Sequence, residues 1–512
     1  MAALNLVRNS RVFFTTQVDS TTGVVSTTGG SYTTAHTAST TYELQVLDGF
    51  SFSQNTNNET ITVSEAGVAP IRGQRSFNTS LAPVDWSMST YIRPAKPGTN
   101  VTAEEKALWN ALFSSYAMGT NWTVTAGTYS TPTIDANDGT VTLVGATIVA
   151  DFVAGDGVIV SGIAATGTGA ASAIKALNGP ATVVSVSATG IKLRPANFHF
   201  YVTGPTLSWS NATTFAKSAW VEGATLATSG THGSNTNNLQ KFGLIVIVDN
   251  VTYAMDNCVM GEATIDFGLD GIATVQWTGQ ATALRQLSST VTATTTGSGT
   301  SALGTGAFTG GATGAYTPKS TGPSFITNKL ATCSLKTVKA LGDATAGQAY
   351  YIALTGGSIT ISNNVTYITP AILGVVNQPA TYYTGTRSIT GTLNAYLNTG
   401  AATDATTYAA GGTGNLLKDM LKAASTTVEP MFEMEISIGG SSTTTTTKVE
   451  LSMPSVSMTI PSINTEQVVS TSITFTAAPN IVTSGTRGFD LGATNDLALR
   501  YYSGTTTYNT AT

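Results

Sequence analysis

The sequence is short of charge, of cysteine and of long apolar runs, and each shortage excludes a class of protein. Only 10% of the 512 residues are charged and the net charge is −5, against roughly 25% charged residues in an average soluble domain. A chain with no basic excess lacks the field that holds nucleic acid by counterion release. The two cysteines, Cys258 and Cys333, are too few for a disulfide framework, and we expect both to be buried as small apolar residues.

The sequence also shows no pattern typical of an export signal or of a membrane anchor. The first residues contain no apolar block of the signal-peptide kind. The longest aliphatic run, residues 244–248, is far too short to cross a bilayer. We therefore expect a soluble protein with no membrane partner that is not exported through a signal peptide. Because 41% of the residues are hydrophobic and the net charge is small, a disordered chain is excluded.

Threonine is what the sequence has in place of charge, with 93 Thr among the 512 residues. Its β-branched side chain fits the pleated surface of a strand, and its hydroxyl can cover a surface that charged residues do not cover. The composition therefore predicts a large, β-rich structural protein.

Alternating apolar and polar residues predict two β-hairpins, each with a dry and a wet face. In the first, residues 262–267 and 273–278 flank a turn at 268–271, and in the second, residues 455–460 precede 472–476. The polar faces comprise Glu262, Thr264, Asp266, Thr274, Gln276 and Thr278 in the first hairpin and Ser455, Ser457, Thr459, Ser472, Thr474 and Thr476 in the second.

Two helices are expected. Thr102-Ala-Glu-Glu105 has the pattern of a capping box, in which the Thr hydroxyl and the Glu carboxylate accept from first-turn amides, and it opens a helix to about Tyr116. A second helix is predicted over about 416–424, with Asn415 as its N-cap.

The same elements recur in the same order, which predicts an internal duplication. The first copy contains strands at 50–53, 59–63 and 85–92, the first helix, a strand at 242–248 and the first hairpin; the second contains strands at 357–361, 365–369 and 388–397, the second helix, a strand at 431–438 and the second hairpin. Between the first helix and the strand after it, residues 151–162 and 181–193 indicate four or five short strands around glycine turns. The expected domains are 1–119 with 239–286, an inserted β-barrel at 120–238, a Thr/Gly-rich linker at 287–324, a second repeat at 325–480 and a C-terminal tail at 481–512.

Patterns typical of catalysis or of metal binding are missing from the sequence. His36, His199 and His232 have no ligand-like partner three or four residues away, and we expect ordinary surface or strand residues. Residues 297–304 resemble a phosphate loop but lack its Gly-Lys-Ser/Thr ending, and residues 135–139 lack the downstream Glu of a calcium loop. We expect a protein that is not an enzyme, with no catalytic residue, cofactor or metal ion.

Several segments resemble the major tail tube proteins of T-five-like siphophages. They include residues 61–67, Pro70-Ile-Arg72-Gly-Gln-Arg75-Ser-Phe77-Asn78 and Trp86-Ser-Met-Ser-Thr-Tyr-Ile-Arg-Pro94, and they continue in the same order through 355–370, 391–398 and 460–466. No single segment is a catalytic signature, and the colinear order carries the resemblance.

The resemblance implies a fold and a function. In that family each subunit has two tail-tube β-sandwich domains, each with a flanking helix, and three subunits close a ring of pseudo-sixfold symmetry. The inner sheet lines a lumen, and rings stack into a long non-contractile tail through which genomic DNA passes without specific binding. The implied partners are copies of the chain itself and the tape measure, tail terminator and distal tail proteins, in a virion assembled in the host cytoplasm.

The same resemblance suggests roles for particular residues. The twelve polar hairpin residues named above become candidates for the lumen wall, which we expect to be neutral or net negative because Lys and Arg would hold DNA phosphates. Glu65, Arg72 and Arg75 are candidates for contacts between rings or between subunits. The insertion at 120–238 is expected to project from the outer surface. We expect no counterpart here of the immunoglobulin-like module that some relatives carry after the second domain, because only about 35 residues follow that domain in this sequence.

Three alternatives stay open at this point. The chain could be the tube subunit of a contractile tail, although the duplicated length argues against it. A Thr-rich secreted adhesin or surface-layer protein would share the composition, but it would need a signal peptide. A carbohydrate depolymerase would need paired carboxylates in an aromatic cleft, which the sequence does not reveal.

Overall fold

The computed structural model of the chain is mainly β, which confirms the fold class predicted from the composition. It describes residues 10–27, 32, 34, 36–47, 49–61, 75–93, 102–113, 117–118, 121–123, 130–135, 139–145, 157–195, 201, 203–210, 213–217, 219–222, 239–248, 251–287, 316–319, 327–337, 349–398, 411–424, 431–439, 448–465, 468–477 and 497–502. Within these ranges, no helix is both long and apolar enough to cross a bilayer.

The elements fall into three groups along the chain. The first strands and helix are β1 (Ser10–Thr15), β2 (Thr41–Leu44), β3 (Ser51–Ile61), β4 (Arg75–Tyr91), α1 (Ala103–Phe113) and β5 (Ala117–Met118). The inserted region contains β6 (Asn121–Thr123), β7 (Thr133–Asp135), β8 (Thr140–Val144), β9 (Gly157–Ser161), β10 (Ala164–Thr166), α2 (Ala170–Leu177), β11 (Gly179–Ser187), β12 (Gly190–Pro195), β13 (Thr206–Ser208), β14 (Thr214–Lys217) and β15 (Ala219–Glu222). The chain then returns in β16 (Phe242–Val248), β17 (Val251–Gly268), β18 (Thr274–Ala281) and β19 (Ala283–Leu287).

The third group follows the predicted linker. It contains β20 (Thr332–Thr337), β21 (Ala349–Ser362), β22 (Val365–Ile368), β23 (Thr381–Thr384), β24 (Ser388–Tyr396), β25 (Gly411–Gly412), α3 (Thr413–Ala423), β26 (Met431–Ile438), β27 (Lys448–Met458), β28 (Ser462–Thr465), β29 (Val469–Ala477) and β30 (Ala498–Tyr502). We call β1–β4, α1 and β16–β19 the N-terminal unit, and β20–β29 with α3 the C-terminal unit.

The strands of the C-terminal unit close on themselves. Antiparallel pairing runs β20–β21–β24–β29–β27–β26 and returns from β26 to β20. The two layers of the expected sandwich are therefore joined along both sides, which makes a six-stranded barrel of this unit.

The N-terminal unit repeats this order with one interruption. Its pairing runs β2–β1–β16–β17–β18–β4–β3. Together, β2 and β3 take the place that the single strand β21 takes in the other unit, and the described residues between them, 45–47, 49 and 50, are not strand. One hydrophobic core runs through both units and includes the fully buried Trp109, Trp277 and Phe432.

The insertion has a core of its own. Its seven-stranded sheet has the order β6–β14–β9–β11–β12–β8–β7, and it surrounds apolar side chains such as Val183 and Leu193. Helix α2 was not predicted, because its eight residues make only about two turns and lie between segments predicted to be strands around glycine turns. The insertion meets the C-terminal unit at Arg194 of β12, whose Nε lies 3.8 Å from Glu433 Oε1 of β26.

Three local predictions need correction. Helix α3 begins at Thr413, so Asn415 lies inside its first turn instead of capping it, and Asn398 Oδ1 accepts from the Thr413 amide at 2.8 Å. Glu105 does not close a capping box with Thr102, because its carboxylate turns inward to other partners described below. Part of the expected C-terminal tail is strand β30, which pairs with β27 and with β15.

Candidate functional site: a polar sheet face shared by both units

One sheet passes without a break from the N-terminal unit into the C-terminal unit. Its order is β3–β4–β18–β17–β21–β24–β29–β27. The two units join where β17 pairs antiparallel with β21, from Glu262 opposite Ser362 to Gly268 opposite Gly356. We call this junction the internal seam.

Polar side chains form rows across one face of this sheet. Residues directly opposite each other in paired strands share a face, so the pairing itself defines each row. The three longest rows are Ser89, Gln276, Thr264, Thr360, Thr390, Thr476 and Ser457; Tyr91, Thr274, Asp266, Ser358, Thr392 and Thr474; and Ser51, Ser87, Thr278, Glu262, Ser362 and Ser388. None of the side chains in these rows is basic, and two are carboxylates.

Hydroxyl and amide groups of this face bond to one another across the strands. Thr264 Oγ1 lies 3.1 Å from Thr360 Oγ1 across the internal seam, and Ser51 Oγ lies 2.7 Å from Ser87 Oγ. Gln280 Nε2 donates to Asp85 Oδ1 at 2.9 Å. The face is thus a wall of short, mutually bonded polar groups.

Most of the residues predicted as a polar set are brought together on this face. All six from the first hairpin lie in the three rows, and Ser457, Thr474 and Thr476 join them from the second. Thr459 is exposed next to Thr474, and Ser472 is half-buried opposite Asn394. Whether this face lines a lumen is a question about the assembly, and it stays a prediction.

Ser455 was assigned to the wrong side, since it is only 2% exposed. The pairing of β26 with β27 shifts between Met434 opposite Met453 and Phe432 opposite Val456. This bulge places two residues of β27 opposite one residue of β26, which breaks the simple alternation assumed from the sequence.

A depression of about 550 Å³ lies on the same face, near the start of β3. Its polar lining comes in part from the third row, through Ser51, Ser87, Glu262, Thr278 and Ser362, and in part from polar residues outside the three rows, such as Asp85 and Gln280. Asp85 and Glu262 are its carboxylates. Its lining side chains include no imidazole, thiol or ammonium group. The depression therefore offers the same kinds of group as the rest of the polar face, namely hydroxyls, amides and carboxylates.

Of the three predicted loop contacts, only Arg75 lies within the described residues. It is exposed at the start of β4, opposite Ile61, at the end of the β3–β4 arm. Glu65 and Arg72 lie outside the described residues. Beside this arm, the Leu81 amide donates to the Asn377 carbonyl oxygen, and the Asn377 amide donates to the Thr79 carbonyl oxygen. These two hydrogen bonds hold the loop after β22 against β4.

Among the described residues, His36, Cys258 and Cys333 do not form a reactive centre. His36 is buried, contrary to expectation: its Nδ1 lies 2.9 Å from Thr41 Oγ1 and its Nε2 lies 2.9 Å from the Ser26 carbonyl oxygen. Burial lowers the pKa of His36, with the Ser26 contact opposing the shift. His199 and His232 lie outside the described residues. The prediction that Cys258 and Cys333 are buried is confirmed, and burial raises the pKa of both thiols. Among the residues that can be described, no three His, Cys, Asp or Glu side chains are grouped so that they could hold a metal ion.

Sequence reasoning missed a buried polar cluster around helix α1. Trp109 Nε1 donates to Tyr501 Oη at 2.6 Å, and Tyr501 in turn donates to Glu105 Oε1 at 2.7 Å. The Arg93 amide donates to the same carboxylate, and the Arg93 guanidinium pairs with Glu104. Burial raises the pKa of Glu105 to about 7, opposed by the Tyr501 hydrogen bond and by Arg93. No local pattern could have found this cluster, because Tyr501 is 396 residues from Glu105.

Comparison with known proteins extends the resemblance seen in the sequence. The chain is 24% identical over 499 residues to the tail tube protein pb6 of Escherichia phage T5, an alignment that covers 95% of this chain and 75% of that protein. No family model matches the chain. The similarity spans both units and the insertion, so it agrees with the resemblance to T-five-like tail tube proteins over nearly the whole length.

Proposed function

We propose that the chain is the major tail tube subunit of a long non-contractile phage tail, a structural protein that assembles with copies of itself. One observation carries the proposal: a single hydrogen-bonded sheet joins two repeated units and presents an unbroken polar face. A tube wall of this kind is built from a repeated unit whose sheet can extend from one unit into the next. The similarity to a tail tube protein supports the same conclusion.

We infer that three copies close each ring. Because each chain contributes two similar units side by side, three chains supply a pseudo-sixfold set. The polar rows then face the lumen, and DNA passes over hydroxyls and amides. Glu262 and Asp266 make this wall weakly acidic, and no basic side chain in the rows could retain phosphates.

The remaining assignments follow from the tail tube proposal. The insertion has its own core and contacts β26, a strand of the layer opposite the polar sheet, so we place it on the outside of the tube. Density for residues 120–238 inside the channel would overturn this placement. Arg75, with Arg72 and Glu65, is proposed to contact a neighbouring subunit or ring. The tape measure, terminator and distal tail proteins are the further partners in the virion.

Electron microscopy of the purified chain tests the proposal. We expect tubes or rings in negative stain, and three subunits per ring in averaged images. Six chains per ring would overturn the trimer, while monomers or planar lattices would favour a surface-layer protein. A double substitution, Arg72→Ala with Arg75→Ala, is expected to reduce tube yield. Normal tubes from that variant would remove the loop from the assembly contacts.

A further inference from the structure

Two tyrosines stand at equivalent positions on the polar face, one in each unit. Tyr91 is the last residue of β4, and Tyr396 is the last residue of β24. Tyr91 lies opposite Thr274 of β18, and Tyr396 lies opposite Ser470 of β29. Both strands run in the same direction through the shared sheet, so the two tyrosines lie towards the same end of it.

Hydrogen bonds at the strand ends establish the equivalence. The Ile92 amide donates to the Ala273 carbonyl oxygen at 3.0 Å, and the Leu397 amide donates to the Val469 carbonyl oxygen at 2.9 Å. In each unit the bond joins the residue after the tyrosine to the residue before its partner on the neighbouring strand. The tyrosines therefore occupy one and the same position of the two repeats.

Both aromatic rings belong to the polar face. Tyr91 is a member of the second polar row, and Tyr396 lies four residues beyond Thr392 of that row on the same strand, so the side chains share a face. Tyr396 is 47% exposed, and Tyr91 is half-buried. The other side chains of the three rows carry hydroxyl, amide or carboxylate groups. The tyrosines are thus the members of this face that offer apolar area.

An apolar ring in such a wall suits a polypeptide better than a DNA duplex. An aromatic side chain can bury on the order of 150–250 Å² against an apolar partner. A duplex keeps its base faces stacked inside and presents phosphates on its outside. Since none of the side chains in the rows is basic, the face offers those phosphates no counter-charge. Aliphatic side chains of a polypeptide, in contrast, can cover the tyrosine rings.

We propose that Tyr91 and Tyr396 form an aromatic contact level inside each ring, and that this level holds a helical polypeptide along the lumen before DNA passes. The inference rests on the proposed trimeric ring, in which three copies with two tyrosines each place these side chains at one height. The matching polypeptide carries aliphatic side chains for the tyrosines. It also carries basic side chains for Asp266, which shares a row with Tyr91.

Contacts of this kind are weak singly and add up along a tube. The aromatic level recurs once in every stacked ring, so a long polypeptide meets many equivalent levels. Its retention therefore rises with the number of rings that it spans, although each contact alone is easily broken. Release can proceed ring by ring, without any change in the wall.

Co-sedimentation of defined probes with assembled tubes of the full-length chain tests the proposal. The first probe is a dye-labelled helical peptide built from Leu, Ala and Lys, and the second is a dye-labelled DNA duplex. We expect the peptide to bind the unmodified tubes, and the duplex to bind them weaker by roughly tenfold or more, because the wall lacks basic groups. If the duplex binds as tightly as the peptide, the proposed class of partner is wrong.

Substitution of the tyrosines makes the test specific. Tyr91→Thr with Tyr396→Thr removes both rings and should weaken peptide binding by roughly tenfold or more in tubes of normal yield. Tyr91→Phe with Tyr396→Phe keeps the rings and should bind the peptide as the unmodified chain does. The matched control is Tyr383→Thr on β23, where the tyrosine is 51% exposed outside the polar rows, and this variant should also bind normally.

Each outcome supports or overturns the aromatic level. Unchanged peptide binding by tubes of the double Thr variant would overturn it, and so would an equal loss in the double Phe variant. Tyr396→Thr alone, at the more exposed position, should give an intermediate loss, and it decides the question if the double variant does not assemble. Unmodified tubes that bind neither probe overturn this inference and leave the tube function standing. If the unmodified chain forms no tube, the proposed function and this inference fail together.

Discussion

In each unit, a buried carboxylate of the helix accepts a hydrogen bond from a tyrosine, but the two tyrosines belong to different parts of the chain. In the C-terminal unit, Tyr350 of β21 donates to Asp419 Oδ2 of α3 at 2.8 Å, and both residues belong to that unit. In the N-terminal unit, Glu105 of α1 receives its hydrogen bond from Tyr501 of β30, at the far end of the chain. The N-terminal unit is therefore completed by the last strand of the structure, whereas the C-terminal unit has its tyrosine within its own barrel.

The two units also differ in how completely their strands close into a barrel. The C-terminal unit is a closed circuit of strands, while the circuit of the N-terminal unit is interrupted between β2 and β3. Strand β30 pairs with β27 of the C-terminal unit and sends Tyr501 to α1 of the N-terminal unit. It thus couples the stability of the less complete unit to the more complete one.

Removal of β30 should have the largest effect on the difference in stability between the two units. A chain ending at residue 496 loses Leu497, Leu499 and Tyr501, all buried, at roughly 1.5–3 kcal/mol each. We expect a free energy of unfolding lower by roughly 5 kcal/mol or more, with the N-terminal unit unfolding first. Trp86, Trp109 and Trp277 lie in that unit, the other three tryptophans lie in the insertion, and residues 325–480 contain none. Fluorescence in urea therefore reports on the N-terminal unit together with the insertion, and not on the C-terminal unit.

The matched control for this truncation is a chain ending at residue 502, which keeps β30 whole. It should unfold like the full-length chain. An unchanged fluorescence transition in the chain ending at residue 496 would show that the N-terminal unit does not depend on β30.

Removing single hydroxyls sharpens the comparison. Tyr501→Phe leaves both the Trp109 indole N–H and the Glu105 carboxylate without this partner, and should cost roughly 2–5 kcal/mol. Tyr350→Phe leaves one buried carboxylate oxygen without its donor and should cost roughly 1–3 kcal/mol. Urea unfolding of both variants measures the two losses. A larger loss for Tyr350→Phe would reverse the proposed order of dependence.

The sequence was sufficient where periodicity is local and insufficient where partners are distant. Alternation located both hairpins, and the burial of Cys258 and Cys333 is confirmed. The exposure predicted for Ser455 was wrong because a bulge interrupts the two-residue period of the strand, and an alternating pattern does not reveal an inserted residue. The role predicted for Glu105 was wrong because its carboxylate accepts from Tyr501 instead of closing a capping box, and only the folded chain brings Tyr501 near it. The rows of the polar face depend on the register between β17 and β21, which no single segment encodes.

The buried carboxylate of the N-terminal unit should also make its stability depend on pH. The pKa of Glu105 is raised from 4.5 to about 7, because burial disfavours its charged form. A raised pKa means that the folded state binds the proton more tightly. The stabilisation is therefore complete below about pH 4.5 and is lost as the pH rises through 7, by roughly 3 kcal/mol in total. Arg93 and Glu104 face the same carboxylate and stay paired with each other.

Unfolding in urea between pH 5 and pH 8, followed by tryptophan fluorescence, measures this slope. Glu105→Gln should flatten it, because a neutral amide can still accept from Tyr501. An equal slope in Glu105→Gln would assign the pH dependence to other groups.

The smallest expected effect concerns the internal seam between the two units. Thr264→Val removes the hydroxyl that lies 3.1 Å from Thr360, a half-buried contact within one chain, and should lower the free energy of unfolding by about 0.5–1 kcal/mol. Ser462→Val is the matched control, because Ser462 is exposed on β28 and its replacement should leave the stability unchanged. Thermal unfolding of the two variants measures the difference. If Ser462→Val destabilises the chain as much as Thr264→Val does, the loss does not come from the hydroxyl contact across the internal seam.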